Sequence, residues 1–114
     1  MYKLGEYYEL IDENEKRAFE FYKKSADQGF ADAQYKLGYF YYHGIEIDIN
    51  REKAFELYNM AAKGGNVDAQ RSLASLYEKG EGTEKNIRSA VYWYKKAVKN
   101  GCQEAKKRFD ILLS

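Results

Sequence analysis

The chain has 114 residues, 19 Lys and Arg against 18 Asp and Glu, and is 45% hydrophobic and 17% aromatic. That is the length of one domain, with enough apolar content to bury a core, which excludes an extended disordered chain. A single cysteine, Cys102, and a single histidine, His43, exclude an internal disulfide framework and any multi-cysteine zinc site, and leave little for hydrolytic or metal chemistry.

The N-terminus, MYKLGEYYEL, lacks the basic-then-apolar pattern of a signal peptide. No apolar run reaches the roughly 18 to 20 residues of a membrane span. The expectation is a cytoplasmic protein that does not engage membranes. Residues 1–30 predict two helices joined by a turn around Ile11 to Glu13, with Asn14 opening the second and Gly29 following it. An asparagine oxygen can accept from the free N–H groups of a first turn, and glycine takes the left-handed position that ends a helix.

Residues 31–66 carry the same pattern at greater length. ADAQYKLGYFYYHG, from Ala31, sets Ala33, Leu37, Phe40 and Tyr41 at helical spacing and ends at Gly44. Asn50 then opens a second helix in which Ala54, Tyr58, Ala61 and Ala62 share a face, and Gly65 follows. Residues 67–102 repeat both parts: VDAQRSLASLYEKG ends at Gly80, Asn86 precedes SAVYWYKKAVKNG, and Gly101 closes it. QEAKKRFDILLS, residues 103–114, repeats only the opening and predicts a terminal helix. Proline is absent, so nothing interrupts these segments.

The spacing between equivalent positions is 36 residues, and such periodicity organises a whole fold. Gly38, Ala74, Ala54, Ala90, Ala61 and Ala97 permit close helix approach, while Leu37, Leu57, Leu73 and the recurring Tyr8, Tyr22, Tyr41, Tyr58, Tyr77 and Tyr94 fill the space between. A single helix pair cannot bury its apolar face, so units must stack. The predicted fold is one all-α domain over 1–114, a right-handed α/α superhelical solenoid of about seven helices.

Catalysis needs convergent groups, and none is visible. His43 and Cys102 fall in different units. The acidic stretches Asp12 to Glu15 and Glu46 to Glu52 lack the glycine and terminal glutamate of a calcium loop and read as solvated helix starts. Gly80-Glu81-Gly82 follows no strand and carries an anion, so it reads as a turn rather than a phosphate loop. No cofactor, metal or catalytic residue is expected.

Leu-Gly followed by Tyr (LGEYY, LGYFY), then Gly, then Lys-Ala or Ser-Ala with an aromatic pair, small residues and Gly (KAFELYNMAAKGG, SAVYWYKKAVKNG), resembles the Sel-one-like repeat, a relative of the tetratricopeptide repeat. The resemblance covers essentially the entire chain. Departures are Glu46, where that family usually has the second glycine of a G-x-G loop, Ala74 for the helix glycine, and the missing opening residues of the first unit. The resemblance implies a bacterial adaptor or scaffold that binds other proteins. It implies a concave groove lined by Tyr35, Lys36, Tyr39, Tyr42 and His43, then Arg71, Ser72, Ser75 and Glu78, then Lys107, Arg108 and Ile111, with Tyr2, Lys3, Glu6 and Glu9 at the other end. Tyrosines beside Arg and Lys suit protein recognition. The alternative is that Tyr35, Tyr39 and Tyr42 cover the interface with the first unit.

Charge is uneven. Residues 1–36 carry 6 basic and 8 acidic side chains, residues 67–114 carry 10 and 6. Lys95, Lys96, Lys99, Lys106, Lys107 and Arg108 suit an acidic partner, while the absence of a nucleic-acid-reading motif disfavours nucleic acid. The expected function is a non-enzymatic protein-interaction module, monomeric or weakly self-associating, holding a peptide or protein surface in its groove. The alternatives are an inhibitor or immunity-type protein that caps one enzyme, and a spacer within a longer solenoid.

Overall fold

In the computed structural model, which describes the backbone of residues 2–114 and the side chains of residues 14–114, six helices follow one another. They are α1 (Tyr2–Asp27), α2 (Ala31–His43), α3 (Arg51–Lys63), α4 (Val67–Lys79), α5 (Ile87–Lys99) and α6 (Gln103–Leu113). Each packs against its neighbours in sequence, giving an elongated all-α repeat solenoid of 55 × 33 × 27 Å. The expected caps are present on α3 and α5: the side-chain oxygens of Asn50 and Asn86 accept from the N–H groups of Lys53 and Ser89, each at 3.0 Å. Asn66, which the 36-residue comparison does not single out, caps α4 in the same way at 2.7 Å from the Ala69 N–H.

One expected boundary is corrected. No turn occurs at Ile11 to Glu13: α1 runs without a break, Asn14 lies inside it, and the helix count is six rather than seven. The reason is local. Between Gly5 and Gly29 there is neither glycine nor proline, and the first unit lacks the loop residues that carry Gly44 and Gly80 in the later units. No glycine there matches the left-handed Gly44 and Gly80 that stop α2 and α4. The expected interior position Tyr8 lies outside the described side chains.

The core is thin and built from small residues. Ala54, Ala61, Ala69, Ala74, Ala90, Ala97 and Ala105 are fully buried, with Leu37, Leu57, Tyr58, Leu73, Leu76 and Tyr94 between them. At Gly38 the constraint is close approach: a Cβ there would lie 2.9 Å from the Tyr58 ring, so the side chain must be absent for α3 to sit where it does. On the other side of α2, Phe40 and Tyr41 meet Phe19 of α1 at ring-centroid distances of 6.0 and 6.2 Å.

Two glutamines are buried among these apolar residues. Gln34 donates to the Ala26 carbonyl at 3.4 Å and Gln70 to the Ala62 carbonyl at 3.2 Å. Both carbonyls lie at the C-terminal end of the preceding helix, where four acceptors have no partner within the helix. Gln70 also accepts from the Asn100 amide at 3.0 Å, so one side chain ties α3, α4 and the end of α5. The sequence signal for this is the repeated Asp-Ala-Gln at 32–34 and 68–70.

The loop departure at Glu46 does not alter backbone geometry. Glu46 holds φ at +62°, close to the +71° of its counterpart Gly82. A side chain in that conformation is strained by roughly 1 to 2 kcal/mol. At Gly82 an added Cβ would fall 2.1 Å from the Arg51 carbonyl oxygen, which is backbone and cannot move aside cheaply.

The equivalent loop positions should therefore respond with opposite signs in urea unfolding. Glu46→Gly is expected to stabilise by about 1 kcal/mol, and Gly82→Ala to destabilise by about 2 kcal/mol or more. Gln70→Leu, which removes both the bond to the Ala62 carbonyl and the one from the Asn100 amide, should cost about 1 to 3 kcal/mol, read from the same titration.

Candidate functional site

The helices that open each unit stand side by side along one face. Asn66 donates to Asp32 at 2.8 Å from the start of α4 to the start of α2. Arg71 on α4 pairs with Glu104 on α6 at 3.4 Å, and Arg108 on α6 donates to Glu78 on α4. Every candidate groove residue with a described side chain lies on α2, α4 or α6.

Tyr35, Tyr39 and Tyr42 recur along α2 at helical spacing. Tyr35 stands against Tyr58 of α3, ring centroids 5.6 Å apart. The Tyr42 hydroxyl donates to Glu81 at 2.9 Å, and its ring lies 4.5 Å beneath the Arg51 guanidinium. Phe40 and Tyr41 make ring contacts with α1. Among the described residues, the contacts of Tyr35 and Tyr42 with other elements are to α3 and to the loop after α4. Tyr39 is 41% exposed and makes ring contact with His43 at 4.2 Å.

Between α2 and α4 these side chains enclose a hollow of about 300 Å³, lined by Tyr42, His43, Tyr58, Ser72, Ser75, Leu76 and Lys79. It contains four of the hydroxyls of the face and no carboxylate. Tyr35 borders it beside Ser72 and Arg71. Burial, reinforced by the surrounding tyrosines, pushes the Tyr58 hydroxyl well above the usual tyrosine range. Burial raises Tyr35 as well, and burial with the hydrogen bond to Glu81 raises Tyr42. All three stay protonated at physiological pH, so these tyrosines act as neutral hydrogen-bond donors and acceptors.

Other candidates fall apart from this cluster. Glu78 is held by Arg108 and by the Tyr94 hydroxyl at 2.9 Å, so the pair joins α4 to α6. Arg71 is engaged by Glu104. Lys36 and Lys107 are exposed, Lys36 with its ammonium 5.9 Å from the Tyr35 ring, and Ile111 is exposed on α6. Tyr2, Lys3, Glu6 and Glu9 lie outside the described side chains. The structure adds Tyr58, Lys79, Arg51 and Glu81 to the cluster. Tyr58 is hard to find because its repeat position reads as core, and Glu81 because it lies in the loop after α4. A larger hollow of about 800 Å³ lies between the loop before α3 and the loop before α5, lined by Glu52, Glu56 and Glu84 among others and by Arg51, whose guanidinium lies over Tyr42. Among the described residues no group of three His, Cys, Asp or Glu side chains could hold a metal ion, and no helix is long and apolar enough to cross a membrane.

Three consecutive segments, 1–30, 31–66 and 67–102, match the family model described as Sel1 repeat. A Sel1 repeat protein from Oxalobacter formigenes superimposes with a TM-score of 0.79 at 34% identity, covering 82% of this chain and 38% of that one. A protective antigen present in uropathogenic Escherichia coli strains, displaying an SLR fold, gives 0.75 at 29% identity, covering 76% and 19%. Helicobacter pylori cysteine rich protein B gives 0.77 at 25% identity, covering 81% and 69%. The chain thus spans well under half the length of the first two. No curated protein sequence matches closely enough to count as a relative.

The Glu78 pair makes a prediction about pH. Hydrogen bonds from Arg108 and Tyr94 outweigh burial and hold the Glu78 carboxyl below its usual range. A depressed folded-state value adds stability above the unfolded carboxylate pKa of about 4.3, and that stability is lost as pH falls through the lower folded value. Glu78→Gln should lower Tm at pH 7, and the gap from the unaltered chain should shrink as pH falls below the unfolded carboxylate value of about 4.3.

Proposed function

Since the chain belongs to the Sel1 repeat family, we propose that it is a non-enzymatic adaptor that holds a peptide or a loop of a partner protein along the face of α2, α4 and α6. Sel1 repeat proteins are generally protein–protein interaction modules and typically non-enzymatic. The observation that carries the finer reading is Tyr39. A large aromatic ring stands 41% exposed beside a hollow of hydroxyls, while its neighbours Tyr35 and Tyr42 are already packed or hydrogen-bonded. Covering such a ring removes apolar surface from water and orders few rotors, which is why tyrosine recurs at binding hot spots.

The roles follow from position. Tyr39 and His43 supply contact area, Tyr42, Ser72 and Ser75 offer hydrogen bonds to a bound backbone, and Arg71, bridged to Glu104 at the surface, can exchange that carboxylate for one on the partner. Tyr35 and Tyr58 support the wall. Glu78 and Arg108 hold α6 beside α4 and so fix the length of the face.

Affinity capture from the native organism's lysate, comparing the unaltered chain with Tyr39→Ala/Arg71→Ala, tests this. The double variant should keep its helical circular dichroism and lose a dominant partner, with affinity for that purified partner falling at least about tenfold, the size of a hot-spot loss. Retention of every partner with unchanged affinity would rule out the face.

A further inference from the structure

The outer face of α5 carries a feature the proposed groove does not use. Arg88, Tyr92, Lys95 and Lys99 stand at i, i+4, i+7 and i+11, the spacing that places residues on one stripe of a helix about 16 Å long. All four are exposed, Tyr92 to 55%, while Ala90, Tyr94 and Ala97 bury the opposite face. Lys96 flanks the stripe with its ammonium 5.8 Å from the rings of both Tyr92 and Trp93, which meet edge to face at 5.1 Å. The helix contains no acidic residue.

Among the described residues, no ion pair answers this charge: Arg88, Lys95, Lys96 and Lys99 take part in none. Of the carboxylates on the helices packed against α5, Glu78 is held by Arg108, Glu104 by Arg71 and Asp110 by Lys106; Asp68 lies in the first turn of α4. The repeat supplies an internal comparison. One period earlier the stripe reads Glu52, Glu56, Asn59, Lys63, and two periods earlier Lys16, Glu20, Lys23, Asp27. The solenoid is built twice with mixed charge at these positions, so an all-cation stripe is not a requirement of the fold.

We propose that the outer face of α5 is a second docking surface, and that its occupant is an acidic helix of a partner protein. A helix with carboxylates at the same i, i+4, i+7, i+11 spacing matches the stripe in length and charge, and Tyr92 at its centre supplies the apolar contact. A flat anionic bilayer matches less well, because Glu52, Glu56 and Glu84 border the neighbouring hollow and would be pressed against it.

The test uses a fluorescein-labelled 18-residue alanine-based helical peptide with glutamates at that spacing, its Glu-to-Gln counterpart, and fluorescence anisotropy at 50 and 150 mM salt. The unaltered chain should bind the glutamate peptide at least tenfold more tightly than the glutamine one. Arg88→Gln/Lys95→Gln/Lys99→Gln should lose at least tenfold, and Tyr92→Ala several-fold at constant charge. Lys16→Gln/Lys24→Gln/Lys63→Gln, with the same change in net charge, should stay within twofold. The Tyr39→Ala/Arg71→Ala variant should bind the peptide normally, which separates this surface from the groove. Circular dichroism melts confirm folding of each variant. Equal losses in the two glutamine triples would overturn the proposal, as would indifference to Tyr92→Ala, or tighter capture of phosphatidylserine vesicles or single-stranded RNA through the same residues.

Discussion

The buried amide of Gln70 is the interaction on which the geometry rests. It donates to the end of α3, accepts from the residue after α5, and sits fully buried in α4 between them. A buried amide without partners is costly, so helix positions in which these bonds fail are strongly disfavoured. Apolar contacts between alanine-rich helices are less selective, since small side chains slide past one another with little penalty. The amide therefore sets the helices' relative positions, and the alanines let them come close enough to use it. Gln34 does the same between α1 and α2 with a single bond.

This division of labour frees the surface. Once Ala, Leu, Gln and capping Asn specify the frame, residues between them can vary from unit to unit without disturbing it. Along α2 they are tyrosines; at the matching positions of α4 they are Arg71, Ser75 and Glu78. The hollow between α2 and α4 exists because bulky residues on one helix face small hydroxyls on the next. The outer stripes of α1, α3 and α5 differ in the same manner, mixed charge in two and cations alone in the third.

Much of this frame is legible in the residues. Helix ends at Asn50, Asn86, Gly44 and Gly80 can be read because each acts on the nearest backbone groups, and the core alanines because the period repeats them. The unbroken α1 is not legible from the period. Periodicity argues for a turn where the other units have one, whereas the local segment, which has no glycine between Gly5 and Gly29, runs on as helix. The candidate face is only half legible. Repeat position puts Tyr35, Tyr39 and Tyr42 on the right helix, but their different fates depend on Tyr58, Arg51 and Glu81, which reach them from other elements. Ion pairs such as Arg71 with Glu104 also cross between units, and spacing alone does not state which cation meets which anion.

Each helix packs on the helix before and after it in the chain, and that has a kinetic consequence. Contacts close in sequence need short loop closures, so folding should be fast for the chain's length. Growth can start wherever local order is strongest, and the α3–α5 segment holds two asparagine caps besides the one on Asn50, together with the two-bonded Gln70. Order then spreads outward one helix at a time.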